Sequence, residues 1–378
     1  MPNKIAQDQR HLKATKSKDR WRQAPEEMYK SLLRTVPLQV RSQIIKLSTT
    51  KGTNGKRKQK TEEMETRYDF NRRWKPLQNY KALCCTHKQS TFKLVSYNIL
   101  AQDLLLEHLF LYVGIPQEFL TWRRRQQNIL QELIKLDSDI LCLQEMQYDH
   151  LALLVQGLRM GNSKRLAYVF KKKTGHRTDG CAIVYDSCKF ELLDHRAVEL
   201  HDKEVALLNR ENVALFAKFR FKKEQVQQKD FVVATTHLLY NPNRSDVRCA
   251  QVGRILEELQ TFSTDTPIVL TGDFNSMPNS SPIDLLIGQR EGEETKGNQA
   301  PLRFELIDPG ENTASTYQDE WITVDYILRS LGSRSRHKLL PISVYSLPSI
   351  SRCSRIGQIP NHYLGSDHYA MGAIFTVV

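Results

Sequence analysis

The first chemical signal is a pair of side chains at the end of one apolar run. In Ile268-Val269-Leu270-Thr271-Gly272-Asp273-Phe274-Asn275 the run ends in glycine, then offers a carboxylate and a carboxamide two residues apart. Residues i and i+2 of a strand share a face, so Asp273 and Asn275 are expected side by side, with Phe274 turned into packing. Such a pair can grip a phosphate or a metal. It is also what an ordinary polar turn looks like, because Gly, Asp and Asn are turn residues. The pattern recurs along the chain. Asn98, Glu145 and His237 close apolar runs, Asp179 and Asn212 open them, and Asn241 follows the His237 run. Asp325 sits inside residues 322–328, and Asp367-His368 precede the last apolar run. A lone strand-end histidine is more often structural than catalytic. Eleven such residues at the mouths of apolar strands point instead to one composite site.

The chemistry they allow is phosphoryl chemistry. Glu145 is read as the end of the fully apolar run Ile140-Leu141-Cys142-Leu143, where a buried carboxylate needs a cation, a metal or a proton. Hard oxygen donors suit Mg²⁺ or Mn²⁺ rather than zinc, and none of the seven cysteines has zinc-site spacing. With a metal polarising a phosphoryl oxygen, a carboxylate can activate water for in-line attack. Two histidines can then stabilise the charge that develops.

These residues must be held by alternating strands and helices. Strands are expected at 92–98, 140–145, 181–185, 212–221, 231–237, 268–273, 322–328 and 369–378, with helices at 122–136 and 148–158. A further helix is expected after Ser245-Asp246, read as its N-cap, with Val252, Ile255, Leu256 and Leu259 on one face. Chain length, 378 residues, allows one large domain or two ordinary ones. No apolar run is long enough to cross a bilayer, and Met1-Pro2-Asn3-Lys4 does not open a secretory signal. The scattered cysteines read as free thiols of a reducing compartment, so a cytoplasmic or nuclear location is expected.

Charge is divided unevenly. Residues 1–90 carry 22 Lys+Arg against 8 Asp+Glu, whereas the other 288 carry 33 against 34. The net charge of +13 therefore resides in a leader, expected to be largely disordered, with a short helix at 26–36 and Trp74, Pro76 and Tyr80 as a lead-in. Such a segment attracts a polyphosphate backbone without reading sequence; it is equally a solvated tail or an import signal around Lys56-Arg57-Lys58.

Seven short pieces occur in one order: Ser96-Tyr97-Asn98-Ile99-Leu100, Leu143-Gln144-Glu145, Asp179-Gly180-Cys181-Ala182, Thr236-His237-Leu238, Gly272-Asp273-Phe274-Asn275, Val324-Asp325-Tyr326 and Ser366-Asp367-His368. In series they resemble the exonuclease–endonuclease–phosphatase superfamily from about Phe92 to Val378. Within it the chain is similar to the carbon-catabolite-repressor-type deadenylases and nocturnin, and most of all to the Angel proteins. The resemblance implies a DNase-I-like α/β fold, a four-layer sandwich of two mixed β-sheets flanked by helices, over residues 91–378. It implies that Glu145 binds Mg²⁺ with Asn98 beside it and Asp367 near the metal. Asp273 would position or deprotonate water, Asn275 would steady the transition state, and His237 would contact the scissile phosphate. Asp325 would orient His368 toward a phosphate oxygen, and Asp179 and Asn212 would be substrate contacts. Where the deadenylases carry a tryptophan and an aspartate, this chain reads Leu239-Tyr240-Asn241-Pro242, and Trp321 stands as counterpart of their base-stacking aromatic. The resemblance implies RNA 3′ ends and mRNA 3′ untranslated regions as partners, no membrane, and hydrolysis of terminal 2′,3′-cyclic phosphates. A 3′-to-5′ poly(A) exoribonuclease and a non-catalytic mRNA-binding relative are the alternatives, with a small-molecule or lipid phosphatase behind them.

Overall fold

Two apolar β-layers meet face to face, and each is covered on its outer side by helices. The computed structural model describes residues 72–77, 90–223, 229–263, 265–288, 302–308, 310–331 and 337–378. The helix expected at 26–36, Tyr80 and the basic cluster at 56–58 lie outside the described residues.

The first sheet runs β1 (Trp74–Pro76), β14 (Leu339–Tyr345), β15 (Met371–Val377), β2 (Thr91–Asn98), β3 (Ile140–Gln147), β5 (Asp179–Asp186) and β4 (Leu166–Lys172). The second runs β10 (Arg303–Leu306), β13 (Asp325–Leu331), β9 (Ile268–Asp273), β8 (Asp230–His237), β7 (Val213–Phe221) and β6 (Phe190–Glu199). Within each sheet one pair is parallel, β2 with β3 and β8 with β9. Ligands of α/β sheets bind beyond the carboxyl ends of parallel strands. Asn98, His237 and Asp273 each stand at such an end.

Between the sheets lies an aromatic core in which Phe92 stacks on Phe231 at 4.4 Å and on Phe375 at 5.6 Å. After the short helices α1 (Gln102–Glu107) and α2 (Gln117–Leu120), α3 (Trp122–Leu136) and α4 (Tyr148–Asn162) pack on the outer face of the first sheet. Ile129, Leu133 and Leu136 supply the helical stripe of α3. The helix expected at 148–158 runs one turn further. Gly157 and Gly161 let α3 approach closely, because a Cβ there would strike Leu130 at 2.8 Å and Ile134 at 2.4 Å. The second sheet packs on α5 (Ser245–Phe262) and α6 (Ser281–Ile287). Helix α5 begins at Ser245, but its cap position is Arg244 and no side chain caps it; Asp246 pairs with Arg244 instead.

Two other expectations change. Residues 322–328 are not one strand: β12 (Glu320–Ile322) pairs with β11 (Thr316–Gln318) as a separate hairpin, and Asp325 opens β13. Trp74 and Pro76 pack on the body as the expected lead-in, as edge strand β1 paired with β14, and the Arg72 guanidinium donates to the Ala370 carbonyl. The ordered body therefore begins before residue 91. Strands β6 and β14 and helix α6 were absent from the expected set: β6 carries Glu191, Asp194, His195, Arg196 and Glu199, and β14 and α6 are seven residues long with a proline in each. Cys142, Cys181 and Cys353 are buried free thiols, and among the described residues no helix is long and apolar enough to cross a membrane.

Candidate active site

Glu145 reaches the site through a defect in its strand. The β3 strand does not end there but continues to Gln147, and its pairing with β5 shifts register between Leu143 and Met146. Glu145 sits in that bulge at φ 54°, a conformation that re-aims its side chain. Its Oε1 accepts from Asn98 Nδ2 at 3.0 Å and its Oε2 from the Ala101 N–H at 2.9 Å. Asn98 is the joint between the layers, because the same Nδ2 donates to Asp273 Oδ2 at 3.0 Å. One amide thus holds a carboxylate from each sheet.

Asp273 and Asn275 do come together, but by a turn rather than by pleating. Asp273 is the last residue of β9, and the Asn275 N–H donates to its Oδ1 at 2.9 Å with Asn275 at φ 46°. This is an Asx-turn, the local bond Asp favours outside regular structure. Phe274 between them is buried as expected. Gly272 is obligatory just before: at φ 148° a Cβ would meet the Thr236 carbonyl oxygen at 2.1 Å.

Both histidines face Asp273. His237 Nε2 and His368 Nε2 each lie 3.6 Å from Asp273 Oδ2, and His368 Nδ1 is 2.8 Å from Asp325 Oδ2. Their charges differ. Burial, then the positive Lys173 and His368, push His237 well below its ordinary pKa, so it is neutral. Burial also opposes the His368 cation, but Asp325 and Asp273 outweigh it and hold the ring well above its ordinary value. Burial and the neighbouring Asp325 carry Asp273 up to about 7, against the restraint of His368. Burial and Asp367 raise Glu145, partly offset by Lys173. The site therefore holds an imidazolium oriented by a carboxylate, a neutral imidazole and a carboxyl group that titrates near neutrality.

These groups open on a cavity of about 1020 Å³. Glu145, His237, Asp273, Asn275, Asp367 and His368 all line it, as do Asn212 and Asn241. Asn212 is already engaged: its Nδ2 donates to the His237 carbonyl and its Oδ1 accepts from Gln251, both at 2.9 Å, which holds the loop after β8. Asn241 Oδ1 accepts from the Asn243 N–H at the exposed rim. Asp367 accepts from the Tyr112 hydroxyl at 2.8 Å. Two expected contacts stand back from the cavity wall. Asp179 is buried against Lys173 Nζ at 2.7 Å. Trp321 packs on the inter-sheet core, beside Tyr317 at 5.1 Å and Tyr369 at 5.9 Å, and it is Tyr317 that lines the cavity.

Lys173 is the functional side chain the sequence hid. It is the last of three consecutive lysines, and nothing in the run marks which one turns inward. Burial alone would discharge it, but Asp179 and Glu145 keep its pKa raised, so a cation lines the cavity. Arg125 lies in the polar run Arg123-Arg124-Arg125-Gln126-Gln127 of α3, yet it is fully buried and donates to the carbonyls of Ile99, Leu100 and Gly365. It ties the loop that holds Glu145 to the loop that carries Asp367 and His368.

The donor set fits a hard divalent cation. Glu145 and Asp367 bear on one another electrostatically, and His237 Nδ1, 4.0 Å from Glu145 Oε1, is buried without a hydrogen-bond partner among the described residues. The tighter group of Asp273, Asp325 and His368 also has ligand spacing. There the Asp325–His368 hydrogen bond already engages one atom of each of two members.

Comparison with known proteins places this geometry. The model of the endonuclease/exonuclease/phosphatase family matches residues 95–368. Protein angel of Drosophila melanogaster is 72% identical over 93% of this chain and 100% of its own length. Protein angel homolog 2 of Danio rerio is 33% identical over 72% of this chain, which spans half of that longer relative. Among solved structures, ANGEL2, described as a 2′,3′-cyclic phosphatase and bound to adenosine-2′,3′-vanadate, superposes with a TM-score of 0.67. That match has 28% identity over 80% of this chain and 98% of the other. The human nocturnin catalytic domain shares the fold at a TM-score of 0.59, with 21% identity over 82% of this chain and 98% of its own. The chain belongs to the endonuclease/exonuclease/phosphatase family and, within it, to the Angel proteins.

Proposed function

We propose that this protein is a Mg²⁺- or Mn²⁺-dependent phosphoesterase that opens terminal 2′,3′-cyclic phosphates on RNA 3′ ends. The observation that carries the reading is the likeness to the ANGEL2 cyclic phosphatase. It extends over a site in which Glu145, Asp273, His237 and His368 line one cavity and Asp325 stands behind His368. Glu145, with Asp367 beside it, would hold the cation, which would neutralise charge on a phosphoryl oxygen. Asp273, titrating near neutrality, takes the proton of the attacking water. The water oxygen forms a bond to phosphorus, one ring ester bond breaks, and the proton ends on the released hydroxyl. His368, charged and oriented by Asp325, lies where a phosphate oxygen gains charge. Lys173 and the neutral His237 complete an anion-binding wall.

Base selection is weak in this reading. The cavity offers Tyr240 and Tyr317 as flat faces, and stacking accepts any base. Incubating the purified full chain and Mg²⁺ with one RNA ending in a cyclic phosphate and one ending in an adenosine tail tests it. Fast loss of the cyclic phosphate, similar for every terminal base and without shortening, is expected. Processive shortening of the tail with the cyclic end untouched would replace the reading with a deadenylase.

The basic leader supplies a second test. Residues 1–90 carry the whole positive balance, and of it residues 1–71, which precede the folded body's Arg72, carry 17 Lys+Arg against 8 Asp+Glu. Deleting residues 1–71 should weaken binding to long RNA and flatten the slope of log K against log salt. Turnover of a short substrate should change little. An unchanged slope in a filter-binding titration would remove the leader from the RNA contact.

A further inference from the structure

We infer that the segment after the Glu145-binding loop is a stacking platform for the nucleotide upstream of the RNA end, with Phe110 as its main contact. This rests on the reading of RNA as substrate. Helix α1 (Gln102–Glu107) and the 3₁₀ turn Leu109–Tyr112 follow directly from Leu100 and Ala101. Their inner face is spent on a small core of Leu100, Leu105, Tyr112 and Leu120. No described residue covers the outer face: Phe110 is 68% exposed and Val113 73%, with Leu109 and Leu111 each at 49%. Exposed apolar side chains gathered in this way mark a contact surface.

Three observations say what covers it. Phe110, Leu111 and Val113 line the same cavity as the reacting groups, so the platform is continuous with the site. Another part of the lining carries Arg177, which pairs with Glu107 and Glu211, and Arg210, which meets no carboxylate among the described residues. At about 1020 Å³ the cavity is also at the top of the range of roughly 300–1,000 Å³ that single small ligands occupy, which leaves room beyond one terminal nucleotide. Aromatic faces paired with cations along a cleft fit a single strand, whose bases stack and whose backbone is anionic. A protein partner would need the apolar face open, not set as one wall of the cavity that holds the reacting groups. The platform is also pinned to the chemistry, because Tyr112 at its end donates to Asp367.

The test compares Phe110→Ser and Phe110→Trp with the unaltered full chain. Each is given adenosine 2′,3′-cyclic phosphate and a short oligonucleotide ending in the same group. For Phe110→Ser the ratio of oligonucleotide to mononucleotide kcat/KM should fall about ten- to a hundredfold, the scale of base–aromatic stacking. Phe110→Trp should restore it. Fluorescence anisotropy with the same oligonucleotide ending in a 3′ hydroxyl should show a matching loss of affinity. An unchanged ratio with unchanged affinity overturns the platform. So does a Phe110→Ser protein that changes sedimentation state while binding RNA normally, which would make the surface a protein contact. If the unaltered protein opens neither substrate, the cyclic-phosphatase reading fails, and the anisotropy arm still decides the platform.

Discussion

Asp273→Asn should lower kcat by roughly a thousandfold, within the 10²–10⁴ that a positioned general base contributes, while making the metal-free protein more stable. The loss follows from chemistry: an amide cannot take a proton from water. The gain follows from electrostatics. Asp273 is buried beside Asp325 and held up to about 7, against an unfolded value near 3.9. For an acid shifted upward the folded state keeps its proton longer than the unfolded chain does. Stability therefore falls as pH rises from about 4 to about 7, and the penalty is fully present above that. The shift corresponds to about 4 kcal/mol. Asparagine keeps one acceptor oxygen for the two donors, the Asn275 N–H and Asn98 Nδ2, so one bond is lost, which returns some 1–3 kcal/mol of it. Denaturant melts in EDTA at pH 8 should show a net gain on the order of 2 kcal/mol, shrinking toward pH 4. A variant that is inactive and also less stable at pH 8 would mean that Asp273 stabilises the fold as an anion, against its raised pKa.

How much of this was legible in the sequence depends on whether a residue acts along its own strand or across the fold. The strands β2, β8 and β9 and their terminal Asn98, His237 and Asp273 were readable because each apolar run ends at its polar residue. Glu145 was identified for a reason that did not hold. It was taken as a strand end, whereas it occupies a bulge, and no local pattern distinguishes an interrupted ladder from a finished one. Lys173 and Arg125 were missed because burial of a cation depends on partners distant in sequence or on backbone carbonyls. Arg125 satisfies itself on the carbonyl of Gly365, which no periodicity can anticipate. Trp321 failed for the opposite reason: a hairpin turned its ring to the core and left Tyr317 in the wall. Sequence thus indicates which strand ends are polar, and tertiary packing decides which side chains enter the site.

The division of labour between the two sheets leads to the second large effect. The first sheet contributes Glu145, and its loops contribute Asp367; the second contributes Asp273 and His237, with Asn98 reaching across. If Glu145 is the cation ligand, its removal should separate metal binding from folding. The Glu145 carboxylate is raised in pKa by burial and by Asp367, so without a cation it is a liability to the fold. Glu145→Ala should leave the melting temperature of the metal-free protein equal or higher. The unaltered protein should instead gain melting temperature with rising Mg²⁺, as any ligand of the native state requires, and the variant should give a flat titration. Turnover at saturating Mg²⁺ should fall by roughly a thousandfold or more, since charge neutralisation at the phosphate is worth several kcal/mol. Two readouts keep the assignment exposed. A variant that still gains melting temperature with Mg²⁺ binds the ion elsewhere, and the Asp273–Asp325–His368 group becomes the next candidate. A variant with a flat titration but normal turnover would show that the chemistry proceeds without the ion at Glu145, leaving Lys173 and His368 as the cations that face the phosphate.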